Sequence, residues 1–195
     1  TDTATKRKVF VYDVPKCASA EELLHKLPGD DGVPLELGEE ANALYLRKMA
    51  SQIRPLHEQL LAGGQGFAVT AEPLEADLFY IPAFFSVLFW MGTLEAMQCT
   101  AETFAALRGQ PHFRRHGGRD HMVLFGVEFA FYRDTEPAFQ LTSYEPSAKN
   151  WLVLTVACPL PCGQQPDSWS VRDRFVLIPF ASRLRNAGRL GLLAP

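Results

Sequence analysis

The densest group of reactive side chains in this sequence lies in one short segment, RRHGGRDH, residues 114–121. Arg119, Asp120 and His121 place a cation, an anion and a titratable imidazole next to one another. Such a group can bind a polyol or an anion, or it can transfer protons. The two glycines of the segment permit backbone angles that are closed to other residues.

A structural role is the alternative for the same segment. Arginine–aspartate pairs often fix a loop that enters a strand, and an aspartate often only satisfies a buried histidine ring. A metal site made by His116, Asp120 and His121 is disfavoured, because adjacent residues on a strand point to opposite faces. We expect no metal here, and the residues alone leave acid–base chemistry and loop anchoring both open.

Asp13 is a second candidate, because it follows a predicted strand with Tyr12, at the end where open α/β sheets bind ligands. It is equally suited to forming the turn before Pro15. The sequence contains no Gly-x-Gly-x-x-Gly after that strand, no P-loop and no Gly-x-Ser-x-Gly. A hydrolase built on Asp120 and His121 would lack a serine or cysteine nucleophile in a recognisable setting.

Apolar segments that are stopped by prolines, glycines or polar residues are predicted to form the strands that position these residues. They are apolar throughout and do not alternate, which is typical of a sheet covered on both faces. The predicted strands lie within residues 8–15, 75–84, 121–127, 151–157 and 173–180, with a shorter one at 67–70.

Helical patterns separate these strands. The first predicted helix has a capping box at Ser19 and Glu22, and the second would be kinked or split at Pro55. Alternating strands and helices predict an α/β fold, a Rossmann-like, doubly wound and mostly parallel sheet, in one domain over residues 1–195. The predicted helices cover residues 19–27, 39–62 and 94–107.

The composition limits the classes of partner. A formal net charge of -3 and a pI near 5.9 argue against a nucleic-acid partner, which would require a basic face. The longest apolar stretch, residues 78–91, contains a proline and is too short to span a bilayer comfortably. We recognise no targeting segment at the start of the chain.

The cysteines leave the redox compartment open. Four cysteines suit disulfides in a secretory compartment, but they also suit a reduced protein of this size. Cys158 and Cys162 lie in the turn-like segment CPLPCG, where a local disulfide, free thiols and a zinc site are the alternatives. Zinc is the weakest of these, because no further ligands follow at similar spacing.

Three segments, in this order, resemble the exostosin family of inverting glycosyltransferases. KVFVYDVP, residues 8–15, is similar to its opening strand, which ends in Tyr-Asp-Leu-Pro. TAEPLEADLFYIPAFFS, residues 70–86, resembles its Thr-x-(Asp/Glu)-Pro-x-x-Ala-Asp-Leu-Phe stretch. FRRHGGRDH, residues 113–121, is similar to its Trp-Asn-Arg-Ser-Gly-Gly-Arg-Asp-His motif, and DRFVLIPF, residues 173–180, is a fainter fourth match.

The resemblance implies a GT-B architecture of two Rossmann-like domains, with this chain as the N-terminal, acceptor-side domain. It implies transfer of a sugar from a nucleotide-sugar donor to a glycan acceptor, in the Golgi or the secretory-pathway lumen. No cofactor is expected in this chain, because the other half binds most of the donor. An inverting transfer needs a base near the acceptor hydroxyl. The residues carried over are Asp120 and His121 as catalytic, and Arg115, Gly118, Arg119 and Asp13 as acceptor-binding.

Three positions depart from the third motif, and the chain end departs from the family's length. Phe113 stands for the family's tryptophan, Arg114 for its asparagine and His116 for its serine, so acceptor recognition is expected to differ. No segment before Pro195 resembles a donor-binding half, so we expect this chain alone to be inactive. The alternative is a non-catalytic glycan-binding or structural module, with another protein covering the face of the missing domain.

Overall fold

A parallel β-sheet forms the centre of this chain in a computed structural model that describes residues 6–26, 53–63, 66–125, 141–155 and 175–177. Within those residues the sheet has six strands in the order β2-β1-β3-β4-β5-β6. Every neighbouring pair is parallel. The strands are β1 (Arg7–Val11), β2 (Phe67–Thr70), β3 (Leu78–Ile81), β4 (His121–Phe125), β5 (Leu152–Thr155) and β6 (Phe175–Leu177).

The central strands are buried, as their unbroken apolar sequences predict. Every residue of β4 is buried, and in β3 only Leu78 is partly exposed. Strands that are apolar on both faces need cover on both faces, and helices provide it on each side. The prediction of a Rossmann-like, doubly wound and parallel α/β sheet is confirmed.

Two of the described helices begin at a side chain that accepts a hydrogen bond from a free N–H group of the first turn. Ser19 Oγ accepts a hydrogen bond from the Glu22 N–H at 3.3 Å, as the capping box predicts. Thr93 Oγ1 accepts from the Ala96 N–H at 3.2 Å. The helices are α1 (Ala20–Lys26), α2 (53–61), α3 (Phe85–Met91), α4 (Leu94–Arg108) and α5 (Leu141–Tyr144). The part of the predicted second helix before residue 53 lies outside the described residues.

One face of the sheet carries a row of rings at a single register level. Phe10, Phe79 and His121 are direct neighbours on β1, β3 and β4, and Trp151 continues the row just before β5. Adjacent ring centroids lie 5.7, 5.5 and 6.2 Å apart along this row. Phe104 of α4 covers Trp151 at 6.1 Å. The row therefore packs against α4 at its Trp151 end.

The segment TAEPLEAD, residues 70–77, contains a short crossover between two strands of the sheet. Residues 71–77 carry the chain from β2 to β3, on the other side of β1, through a one-turn 3₁₀ helix that begins at Pro73. Asp77 ends the crossover by accepting a hydrogen bond from the Lys8 N–H of β1 at 2.8 Å.

A disulfide joins Cys17, in the turn after β1, to Cys99 of α4 across a sequence separation of 82. Cys99 is buried in the core that α4 shares with the sheet. The sequence did not predict this pairing, because nothing in the pattern brings positions so far apart together. Cys158 and Cys162 lie outside the described residues, so the alternatives for them stay predictions.

Candidate functional site

The segment 114–120 forms a left-handed turn directly before β4. Three successive residues have positive φ, His116 at 48°, Gly117 at 60° and Gly118 at 84°. Among the described residues, His116 is the only non-glycine in this region of φ. Holding a side-chain-bearing residue there costs about 1–2 kcal/mol. The predicted need for glycine in this segment is confirmed at both positions.

The turn is fixed against the residues that precede β5. A Cβ atom on Gly118 would lie 2.8 Å from the Trp151 indole and 3.0 Å from the Ser147 carbonyl oxygen, so the backbone lies directly on that ring. Asn150 Nδ2 donates a hydrogen bond to the Gly117 carbonyl at 2.9 Å. Packing and hydrogen bonding together hold the turn in one place.

Four polar side chains form a connected chain beneath this turn. Arg115 Nε lies 3.2 Å from Asp120 Oδ2 in an ion pair. Asp120 Oδ1 lies 2.9 Å from His121 Nδ1, and His121 Nε2 lies 2.9 Å from the Tyr12 hydroxyl. The chain therefore connects the end of β1 to the start of β4 through two side-chain hydrogen bonds.

His121 lies inside a cage of aromatic rings and has no exposed surface. Its ring is stacked on Phe79 and on Tyr12, with centroids 5.5 and 5.6 Å apart, and it meets the edge of Phe113 at 5.3 Å. Trp151 closes the fourth side at 6.2 Å. The described residues therefore enclose the imidazole completely.

Burial determines the protonation states of His121 and Tyr12. Desolvation lowers the pKa of His121 below its ordinary value, although its hydrogen bond with Asp120 acts in the opposite direction. The neutral ring with its proton on Nδ1 satisfies both partners, since Nδ1 then donates to Asp120 and Nε2 accepts from the Tyr12 hydroxyl. Burial, reinforced by the Asp120 charge, raises the pKa of Tyr12, so the phenol keeps its proton.

A second, half-buried histidine makes a matching contact on the opposite face of the sheet. His57 of α2 lies with its Nδ1 2.8 Å from the Tyr80 hydroxyl of β3. Desolvation lowers the pKa of His57 as well, and the Glu58 charge opposes the shift. Both faces of the sheet therefore contain an imidazole that is neutral in the folded chain.

We expect the free energy of unfolding to be largest above the ordinary histidine pKa of 6.5 and to fall as the pH drops below it. Below pH 6.5 the two histidines bind protons in the unfolded chain. In the folded chain they bind protons only at a lower pH, because the pKa of each is lowered. Urea midpoints at about pH 7.5 and about pH 5 would measure the loss. His57→Gln, which keeps a polar partner for Tyr80 and removes one titrating ring, should lose less stability over the same interval. An equal loss in both proteins would contradict the assignment to His57.

The predicted acceptor-binding residues lie at two different ends of the strands. Arg115 and Gly118 belong to the turn before β4, where the Arg115 guanidinium lies 5.3 Å from the Phe79 ring centroid. Arg119 belongs to the same turn and is exposed. Asp13 is also exposed but follows the carboxyl end of β1, where its carbonyl accepts a hydrogen bond from Gln110 Nε2 at 3.0 Å. Tyr12 is the residue that links these two regions.

Of the two predicted catalytic residues, Asp120 is the one nearer to solvent. Its side chain keeps 10% of its surface exposed, whereas that of His121 keeps none. Asp120 Oδ2 has no hydrogen-bond partner among the described residues, so its contact with Arg115 is ionic only. A general base must come within hydrogen-bond reach of the hydroxyl that it deprotonates. The structure therefore separates two candidate bases that the sequence could not tell apart. The Asp120 side chain keeps some exposed surface, and the His121 side chain keeps none.

Sequence reasoning named Tyr12 only as a strand end and did not predict its bond to His121. The two residues are 109 positions apart, and no local pattern signals such a contact. Phe113 and Trp151 were likewise not assigned to the cage. One signal was available in the sequence, the Tyr-Asp pair at residues 12 and 13, which resembles the end of the family's opening strand. That pair could have suggested Tyr12 as a partner of His121.

Comparison with known proteins places this geometry in a family. The model of the Exostosin GT47 domain matches residues 3–190, which is nearly the whole chain. No curated protein and no solved structure matches the chain. The matched span includes every strand of the sheet, the turn before β4 and the polar chain beneath it. On that match, the chain belongs to the exostosin GT47 family, a GT-B family of glycosyltransferases.

Proposed function

We propose that this chain is the acceptor-side half of a glycosyltransferase that transfers a sugar from a nucleotide-sugar donor to a glycan. The observation that supports it most directly is the family match over residues 3–190, which gives the chain a glycosyltransferase-type function. The donor would bind mostly to a second Rossmann-like half, as in the GT-B arrangement. Turnover would then require both halves.

Within this half we assign distinct roles to buried and exposed residues. Asp13 and Arg119 are exposed and can contact a glycan hydroxyl or carboxylate directly. Asp120 is the proposed general base, because its side chain keeps 10% of its surface exposed whereas that of His121 keeps none. His121 holds Asp120 in place through the 2.9 Å hydrogen bond, and Arg115 balances its charge. Gly118 brings the turn close enough to Trp151 to fix this arrangement.

Replacing Asp120 with alanine is expected to lower the rate of sugar transfer by about 10²- to 10⁴-fold, because a positioned base contributes that much. Transfer would be measured with nucleotide-sugar donors on the natural full-length polypeptide. Asp77→Ala is the matched control, since Asp77 also precedes a central strand and accepts a backbone hydrogen bond, but lies outside the proposed site. Asp120→Ala that folds and transfers at the rate of Asp77→Ala would exclude Asp120 as the base.

The complete burial of His121 favours a second candidate function, a non-catalytic module that binds a glycan or supports a larger complex. In that case the polar chain from Arg115 to Tyr12 only stabilises the fold. Asp120→Ala would then lower the thermal unfolding temperature while glycan binding by the folded fraction stayed unchanged. Absence of transfer by the natural full-length polypeptide, with any donor, would support this second function.

We also propose a Golgi or secretory-lumen location for the protein. Exostosin proteins are typically secretory-pathway enzymes, and the Cys17–Cys99 disulfide suits an oxidising compartment. In the described part of the chain, no helix is both long enough and apolar enough to cross a membrane. Reaction of the isolated protein with a thiol probe before and after reduction would test the oxidised state of Cys17 and Cys99.

A further inference from the structure

Tyr12 is the firmly held end of the connected polar side chains that lead to Asp120. It keeps only 2% of its surface exposed, and its N–H donates a hydrogen bond to the Tyr80 carbonyl of β3 at 2.9 Å. Its ring makes edge-to-face contacts with Phe10 at 5.6 Å and with Phe113 at 6.0 Å. The sheet and the core therefore fix the position of its hydroxyl group.

The other end of the connected side chains is held less firmly. Arg115 Nε lies 3.2 Å and His116 Nε2 lies 4.0 Å from Asp120 Oδ2, and these two basic side chains keep 30% and 61% of their surfaces exposed. Partly exposed ion pairs are weakened by solvent and restrict long side chains at a cost in entropy. The position of the Asp120 carboxylate therefore depends mainly on its other oxygen, Oδ1, which lies 2.9 Å from His121 Nδ1.

The aromatic cage fixes the plane of the His121 ring but not the orientation of the ring within that plane. Phe79 and Trp151 stack on the imidazole at interplanar angles of 18° and 19°. A half-turn of the imidazole about χ2 keeps this plane and exchanges each ring nitrogen with a carbon. The hydrogen bond between the Tyr12 hydroxyl and His121 Nε2, 2.9 Å long, opposes that half-turn from the side of the ring away from Asp120.

We propose that Tyr12 is a positioning residue for sugar transfer, which holds Asp120 in the geometry of a general base by fixing His121. This inference rests on the proposed function, in which Asp120 is the base. The Tyr12 hydroxyl donates to Nε2, so that nitrogen stays unprotonated and Nδ1–H donates to Asp120 Oδ1. A catalytic group that is displaced by about 1 Å can lose about 10²-fold in rate.

The kinetic test is Tyr12→Phe in the natural full-length polypeptide, because this change keeps the packed ring and removes only the hydroxyl group. Tyr80→Phe is the matched control, since Tyr80 is also buried and its hydroxyl lies 2.8 Å from Nδ1 of a different histidine, His57. In Tyr12→Phe we expect kcat for transfer to fall at least about tenfold, with KM changed by less than about twofold. In Tyr80→Phe we expect both constants to stay unchanged.

Nitrogen resonances of isotope-labelled histidine rings give a second measurement, which does not depend on transfer. An unprotonated ring nitrogen moves to higher frequency when it loses the hydrogen bond that it accepts. We expect the Nε2 resonance of His121 to move in this way in Tyr12→Phe and to keep its position in Tyr80→Phe. A change that only loosened the fold would not select one nitrogen of one ring.

The outcomes separate this inference from the proposed function. Unchanged kcat in folded Tyr12→Phe, an equal fall in Tyr80→Phe, or no histidine resonance that moves only in Tyr12→Phe would each overturn the inference and leave the proposed function in place. If no histidine of the wild type carries its proton on Nδ1 alone, the inference is overturned whether or not Tyr12→Phe folds. Absence of transfer by the wild type with any donor would refute the proposed function, and with it a role of Tyr12 in transfer.

Discussion

Replacing both Cys17 and Cys99 with alanine is expected to lower the free energy of unfolding by about 4 kcal/mol, because a cross-link that closes so long a loop restricts the unfolded chain strongly. The bridge spans a sequence separation of 82 and ties the turn after β1 to α4. Without it, unfolding releases the two segments independently. Urea denaturation monitored by far-ultraviolet circular dichroism would give the free energies of unfolding of both proteins.

Reductant provides the control for that experiment. Reduced wild-type chain should unfold at nearly the same urea concentration as the double alanine variant. The variant itself should respond little to reductant, and any further decrease in the variant would belong to Cys158 and Cys162. Identical midpoints for the oxidised wild type and the oxidised variant would show that the Cys17–Cys99 bridge does not stabilise the fold.

Gly118→Ala should be the most damaging single-methyl change in the turn, with a loss of about 3 kcal/mol or more from backbone strain and overpacking together. The new methyl group would lie 2.8 Å from the Trp151 ring and 3.0 Å from a backbone oxygen, and φ there is 84°. The ring is buried and cannot move aside without disturbing His121. Thermal unfolding monitored by circular dichroism would measure the loss.

Gly117→Ala is the matched control for this prediction. It also has positive φ, at 60°, but an added Cβ would meet only the Asn150 side-chain nitrogen, at 4.0 Å. We expect a loss of about 1 kcal/mol from backbone strain alone. The difference between the two variants isolates the contact of Gly118 with Trp151. Equal losses in Gly117→Ala and Gly118→Ala would show that this contact is unimportant.

The strands and their parallel arrangement could be predicted because burial on both faces leaves a local signal. LFYI in β3 is apolar at every position, and so is β4 after His121, as a strand between two layers of helices requires. Helix α3 could not be predicted in the same way. Five of its seven residues are buried, so its sequence lacks the polar face that gives a helix its period of 3.6.

The candidate site was predictable in its residues and not in its arrangement. Arg115, Asp120 and His121 are close in sequence, so their clustering was visible. Their environment depends on Tyr12 and Trp151, which lie far away along the chain and meet His121 only after the sheet has formed. Burial of this kind is a tertiary property, and it decides which neighbouring groups can reach a ligand.

The placement of Trp151 against His121 gives this chain an internal optical reporter. An excited indole transfers an electron to a neighbouring imidazolium far more readily than to a neutral imidazole, so its emission is quenched when that ring gains a proton. The ring centroids lie 6.2 Å apart at an interplanar angle of 19°, close enough for such transfer. In a variant with Trp90 and Trp169 replaced by phenylalanine, the emission intensity of Trp151 during acidification is therefore expected to follow the protonation state of His121.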